Sequence, residues 1–225
     1  IGELERVSIT DALEGDQLYP ALAAPGDSLV LAWEDRRAGH TRLYVAGSKA
    51  GLDLEPARPL NELRSSSSPR YGRGTGVTRV ALAEGGGKRV AAAWMDKREF
   101  RGGYDIYAAV SEDAGSGFGD NELVQDMFGE NTPQWHPTVA VGPEGRVAVA
   151  WDDPRDGTPD VWFSWRTGDG EWSDDVPVTP AYGPGAQRSP SIAFGGDGTV
   201  HFAWVERVEG QPQRLLYATA RWVED

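Results

Sequence analysis

The chain of 225 residues carries 35 acidic against 22 basic side chains, a net charge of −13, and no cysteine. Phosphate neutralisation dominates nucleic-acid binding and basic clusters draw proteins to anionic lipid, so this balance excludes nucleic acid as an expected partner and argues against a membrane surface. No apolar run reaches the ~18 residues a bilayer span requires, so no membrane insertion is expected; the missing thiols remove disulfides and thiolate metal sites together.

Taken in order, the chain opens on a short run, Arg6-Val7-Ser8-Ile9-Thr10, then a lead-in that ends at Leu18-Tyr19-Pro20. The apolar runs 21–23 and 29–31 flank Pro25-Gly26-Asp27, the turn chemistry of a hairpin. The phrase Ala32-Trp33-Glu34-Asp35-Arg36-Arg37 follows, then a polar loop, a third run at 43–46 with Tyr44, and a more polar fourth run at 57–60. The same order returns from 80, with Ala93-Trp94-Met95-Asp96-Lys97-Arg98 and Tyr107. It returns again from 139, with Ala150-Trp151-Asp152-Asp153-Pro154-Arg155 and Trp162, and from 192, with Ala203-Trp204-Val205-Glu206-Arg207-Val208 and Tyr217.

A unit of four antiparallel strands repeated at this spacing predicts an all-β fold, a β-propeller of four blades. The expected blades are about 17–61, 76–126, 134–180, and 187–225 together with 4–10. The last unit stops after its third strand, so residues 6–10 are expected to complete it and close the ring, which would leave no sheet edge inside it. The whole chain then reads as one propeller domain.

The phrase Trp-x-Asp-x-Arg, with Asp105-Ile106-Tyr107-Ala108-Ala109-Val110-Ser111 after its second copy, resembles the sialidase-like propellers with BNR repeats. Ser111-Glu112-Asp113-Ala114-Gly115-Ser116-Gly117-Phe118 is similar to their Asp box, with Gly117 for Thr and Phe118 for Trp, and Arg166 to Ser173 is a weaker echo lacking the leading Ser. The resemblance implies that Asp113 and Asp169 are folding elements remote from the ligand face. It also implies an exported bacterial protein, secreted, periplasmic or on the cell surface. Active sialidases of the family have six blades, an Arg triad, an Arg-Ile-Pro sequence and a Tyr activated by Glu. Here Leu18-Tyr19-Pro20 is the nearest counterpart of Arg-Ile-Pro and lacks the arginine.

The repeated residues have a structural reading. Trp33, Trp94, Trp151 and Trp204 suit packing between blades. Asp35, Asp96, Asp153 and Glu206 stand beside Arg37, Arg98 and Arg155 as ion pairs pinning the second strand's exit. The alternative is a ring of carboxylates binding a hard cation such as calcium through oxygen, and no other cofactor is expected. With three His, none within ligand spacing of another, zinc chemistry is not expected.

Departures from the repeat are more informative. They fall in the linker 61–78, the loop 97–104 and the lead-in 133–136. Together they bring Arg70, Tyr71, Arg73, Arg98, Phe100, Arg101, Tyr104, Trp135 and His136 toward one mouth, a basic and aromatic cluster in an acidic protein. Aromatic faces suit a sugar ring and arginines suit a carboxylate. The leading expectation is a non-catalytic recognition or scaffolding module that takes a glycan or a protein partner. The alternative is a propeller-type glycoside hydrolase or lyase using carboxylates of that face. Asp152 with Asp153, or Glu34 with Asp35, would supply paired acids, but neighbours on a strand point to opposite faces.

Overall fold

The structure, a computed structural model, describes residues 15–37, 40–48, 53–62, 76–98, 103–126, 132–178 and 185–222. Strands β1 (Gln17–Ala23), β2 (Val30–Asp35), β3 (Arg42–Gly47) and β4 (Arg58–Pro59) form the first antiparallel sheet in chain order. The second holds β5 (Val77–Glu84), β6 (Val90–Asp96), β7 (Asp105–Ser111) and β8 (Glu122–Leu123). The third holds β9 (Trp135–Val141), β10 (Arg146–Asp153), β11 (Asp160–Thr167) and β12 (Val176–Pro177). The fourth has three strands among the described residues, β13 (Ala186–Phe194), β14 (Val200–Arg207) and β15 (Arg214–Ala220). Each sheet is a meander of hairpins, and the short fourth strands carry Pro59 and Pro177 at outer edges, where a missing N–H costs no ladder bond.

The second strands of the two middle sheets, β6 and β10, are apolar on both faces over most of their length because both faces are covered. Alternation sends Val30 and Ala32 of β2 toward the next sheet, where they meet Val90, Ala92 and Trp94 of β6. Ala91, Ala93 and Met95 on the other face of β6 meet Val147, Val149 and Trp151 of β10. Ala148 and Ala150 then meet Val200, Phe202 and Trp204 of β14, with Phe163 and Phe202 centred 4.8 Å apart. The alanines let adjacent sheets approach closely enough to enclose each tryptophan, so Trp94 and Trp151 lose all contact with solvent.

The fourth sheet ends this series. Leu215 and Tyr217 of β15 hold the register of Ile106 and Ala108 on β7 and of Val161 and Phe163 on β11, which the next sheet buries. Yet Leu215 is 77% exposed and Tyr217 64%. Among the described residues the fourth sheet does not pack on the first as the other neighbours pack on one another. The expected closing strand, 6–10, lies outside the described residues.

Two junctions carry a second fastening at the outer edges of the sheets. Glu62 and Asn121 exchange backbone-to-side-chain hydrogen bonds of 2.6 and 2.9 Å. Asp126 and Asp175 do the same one junction later, at 3.2 and 3.0 Å.

Candidate functional site

In the first three copies of the repeated phrase the tryptophan stands across from an aromatic residue of the third strand: Trp33 opposite Tyr44, Trp94 opposite Tyr107 and Trp151 opposite Trp162. Two residues on, the aspartate shares the tryptophan's face and accepts its indole N–H at 3.1, 3.1 and 3.3 Å. The arginine two residues further turns back onto the same carboxylate. Arg37, Arg98 and Arg155 also lie over the facing ring at 4.4, 3.6 and 4.1 Å. Burial alone would raise the Asp35 carboxyl, but hydrogen bonds from Arg37 and Trp33 bring it below its ordinary value. The fourth copy has Val208 in place of the arginine, so Glu206 takes Arg214 from β15, and the Trp204 indole N–H is buried without a hydrogen-bond partner. These carboxylates are therefore committed to their own sheets. Among the described residues no group of three His, Asp or Glu is arranged to hold a metal ion.

At the same end of the sheets, the innermost strands share a feature that composition does not announce. Each pairing of a first with a second strand slips its register, between Leu18 and Ala21, Thr78 and Ala81, Trp135 and Thr138, and Arg188 and Ser191. Each slip is a β-bulge holding one non-glycine residue at positive φ: Tyr19 (50°), Arg79 (59°), His136 (52°) and Ser189 (54°). Such a conformation costs about 1–3 kcal/mol per residue and persists only where the surroundings impose it. In three of the four, proline follows (Pro20, Pro137 and Pro190), and its lack of an N–H suits the interrupted ladder. All four bulged residues are exposed, and the first strands of consecutive sheets pack side by side from the first sheet to the fourth. The four side chains thus gather at one mouth, where the Arg79 guanidinium lies 4.2 Å from the Tyr19 ring centre.

Two buried acids hold these bulges. Glu34, 2% exposed, accepts hydrogen bonds from the Thr78 hydroxyl and, at 2.8 Å, from the Arg79 backbone N–H. Asp152, fully buried, accepts from the Ser189 backbone N–H at 3.0 Å, and the same Oδ1 lies 2.7 Å from His136 Nδ1. Its Oδ2 is buried without a partner. Asp152 accepts from the Nδ1–H of an imidazole whose side chain is 42% exposed. A buried carboxylate that orients a partly exposed imidazole is an arrangement suited to acid–base chemistry.

Of the residues expected at the mouth, His136 is there. Arg98 is not offered to a ligand: 13% of its side chain is exposed, and it is bound to Asp96, Asn121 and Glu62. Tyr104 and Trp135 pack on each other, centres 5.5 Å apart, against the core of sheets two and three. Arg70, Tyr71, Arg73, Phe100 and Arg101 lie outside the described residues. Sequence reasoning passed over Tyr19, Arg79 and Ser189, and left Glu34 and Asp152 only as halves of adjacent acidic pairs. Their signal was available: the position after the tryptophan reads Glu34, Met95, Asp152, Val205, the one place in the phrase where acids alternate with apolar residues.

Asp113 sits at the opposite end, in the turn between β7 and β8. There it accepts from the Gly117 N–H at 2.7 Å and the Ser111 hydroxyl at 2.7 Å, bonds that hold it below the usual carboxylate range against burial. Asp169 lines a groove of about 530 Å³ between the outer edges of sheets two and three, whose central polar groups, Arg166, Trp172 and Glu122, are paired with one another.

No protein-family model matches the chain, and no curated protein matches it in sequence. Solved structures do share its fold. A Hadza microbial sialidase superposes with a TM-score of 0.61 at 17% identity over 88% of this chain and 43% of its own. A Penicillium chrysogenum alpha-L-arabinanase complexed with arabinobiose gives 0.58 at 16% over 91% and 62%. A polysaccharide lyase, an ulvan lyase bound to a glucuronate–sulfated rhamnose unit, gives 0.61 at 12% over 89% and 55%. This chain spans 43–62% of the length of those three. Its fold is of the β-propeller type found in carbohydrate-cleaving enzymes of sialidase-like architecture.

Proposed function

We propose that this propeller acts on a glycan at the mouth framed by Tyr19, Arg79, His136 and Ser189, as a glycoside hydrolase or lyase rather than a passive scaffold. The observation that supports this most directly is the His136–Asp152 pair, a buried carboxylate 2.7 Å from an exposed imidazole at a bulged position. Burying a carboxylate with one oxygen unpartnered costs several kcal/mol, and packing alone does not require it, since Met95 and Val205 fill the equivalent site in the second and fourth sheets. The His136 Nε2 lone pair is placed to take a proton from a bound sugar or water and return it to a leaving oxygen, the role of a general acid–base group. Tyr19 beside Arg79 supplies a stacking face and a cation for the ring. The glycan-cleaving activities of the superposed enzymes agree with this reading.

The test is incubation of the full chain with neutral and uronate-containing polysaccharides. Release of reducing ends is followed together with the ultraviolet absorbance that β-elimination of a uronate creates. His136→Asn is expected to abolish turnover while leaving the affinity for oligosaccharide within a few fold. If wild-type protein binds glycans but releases no product from any of them, the acid–base role is wrong and recognition alone remains.

A further inference from the structure

The geometry points to Arg79, laid on Tyr19 and aimed by Glu34, as an anion subsite that takes the carboxylate or sulfate of an acidic sugar bound at the mouth. The inference rests on the mouth being a glycan site and adds the class of sugar. Many arginines in this acidic protein hold carboxylates, among them Arg37 on Asp35, Arg98 on Asp96, Arg155 on Asp153, Arg166 on Glu122 and Arg214 on Glu206. Arg79 is exposed, and among the described residues no carboxylate lies within ion-pair distance of its guanidinium.

Its backbone is nonetheless fixed with unusual care. The φ of 59° is unfavourable for a long side chain, and glycine would relieve it. A buried glutamate from the preceding sheet secures that conformation through the Arg79 N–H, with Thr78 as its second donor. The hold is on the main chain, so the guanidinium stays free of it and the side chain is sent across onto Tyr19, itself a bulged residue at φ 50°. A guanidinium lying on an aromatic ring keeps its in-plane N–H donors for a second partner, and its fork matches a carboxylate or sulfate in two parallel hydrogen bonds. The pair therefore offers an anionic pyranose an edge to bind and a face to rest on, beside His136 of the third sheet. Glu34 is a positioning residue here; it acts on the ligand only through Arg79.

The experiment is calorimetric titration of the full chain with three probes: an unsulfated uronate tetrasaccharide, its carboxyl-reduced counterpart and a sulfated neutral tetrasaccharide. At least one anionic probe is expected to bind ten-fold or more tightly than the reduced sugar, and which one binds tells carboxylate from sulfate. Arg79→Ala should remove that preference, lowering affinity for the anionic probe at least ten-fold and leaving the reduced sugar unchanged, with Arg79→Lys in between. Arg79→Gly should lose the same affinity while melting no lower than wild type, which separates loss of the site from loss of the fold. Glu34→Gln should weaken the anionic probe only when Arg79 is present. Equal binding of anionic and reduced sugars by wild type, absence of binding to all three, or Arg79→Ala binding like wild type would each overturn the subsite. Selective binding through Arg79 without cleavage of any glycan would leave the subsite standing and remove only the acid–base role of His136. Cleavage of an acidic glycan with KM unchanged in Arg79→Ala would do the reverse.

Discussion

Replacing Asp175 with asparagine should make the protein's stability nearly independent of pH where the wild type loses it. Asp175 is pushed up from its ordinary 3.8 to about 7, first by burial and then by the hydrogen bond it shares with Asp126, against the pull of Arg155. Its side chain is 1% exposed, so solvent screens little of this. A carboxyl whose folded value exceeds its unfolded value stabilises the fold while it is protonated. That stability is fully present below about pH 4 and is lost as pH rises through about 7. Asp126 is shifted the other way, and its contribution is lost only as pH falls below the ordinary carboxylate range, so it is flat above pH 5. Between pH 5 and 7 the Asp175 proton accounts for roughly 2–3 kcal/mol, at about 1.4 kcal/mol per pH unit. Asn121 already occupies the matching position opposite Glu62, with the same reciprocal backbone bonds and its own arginine, Arg98. Urea denaturation at half-unit steps from pH 5 to 8, wild type against Asp175→Asn, is the assay, and the three histidines, common to both proteins, cancel in the difference. The wild type should fall by roughly 2–3 kcal/mol relative to the variant. Parallel profiles would refute the reasoning.

Other substitutions test the remaining interactions. Arg98→Ala leaves Asp96 buried with only an indole donor, and should cost about 3 kcal/mol in chemical denaturation without altering affinity for any glycan. Trp94→Phe loses the bond to Asp96 and should cost 1–2 kcal/mol more than Trp204→Phe, whose indole N–H has no partner to lose; melting curves decide, at about 2–4 °C per kcal/mol for a chain of this size. Gly115→Ala should destabilise by about 2 kcal/mol, because at φ 80° an added Cβ would stand 2.6 Å from the Val30 side chain of the neighbouring sheet. A Gly115→Ala protein as stable as wild type would mean that Val30 repacks freely.

Much of the architecture was legible because it is periodic. Glycine turns between apolar runs marked the hairpins, and tryptophan spacing marked the sheets. Asp113 was legible as a turn residue through the likeness of its surrounding residues to an Asp box. The mouth was not, because its residues are chosen by backbone conformation. A bulge that lifts Arg79 or His136 to positive φ leaves almost no trace in composition, beyond a following proline in three of the four copies. Glu34 and Asp152 were hidden by their neighbours Asp35 and Asp153. Opposite faces of one strand send the first of each pair to the next sheet's bulge and the second to its own tryptophan. Arg98 misled for the converse reason: charge and loop position suggested a ligand contact, while Asp96 and Tyr107 within its own sheet had already engaged it.

The tryptophan, aspartate, arginine and facing ring of each fastener belong to a single sheet. Each fastener is complete within its sheet, although Arg98 and Arg155 also reach across a junction, to Glu62 at 3.8 Å and Asp126 at 3.7 Å; what crosses is otherwise chiefly apolar surface in one repeating register with pairs of edge bonds. A sheet built this way can be duplicated, deleted or exchanged during evolution without rewriting its neighbours, since every copy arrives with its strand exit already secured. Blade number then becomes a property that gene rearrangement can change in one step. The alternating acids behind the tryptophans are what resist such a change, because each is matched to a bulge of the next sheet, Glu34 to Arg79 and Asp152 to Ser189.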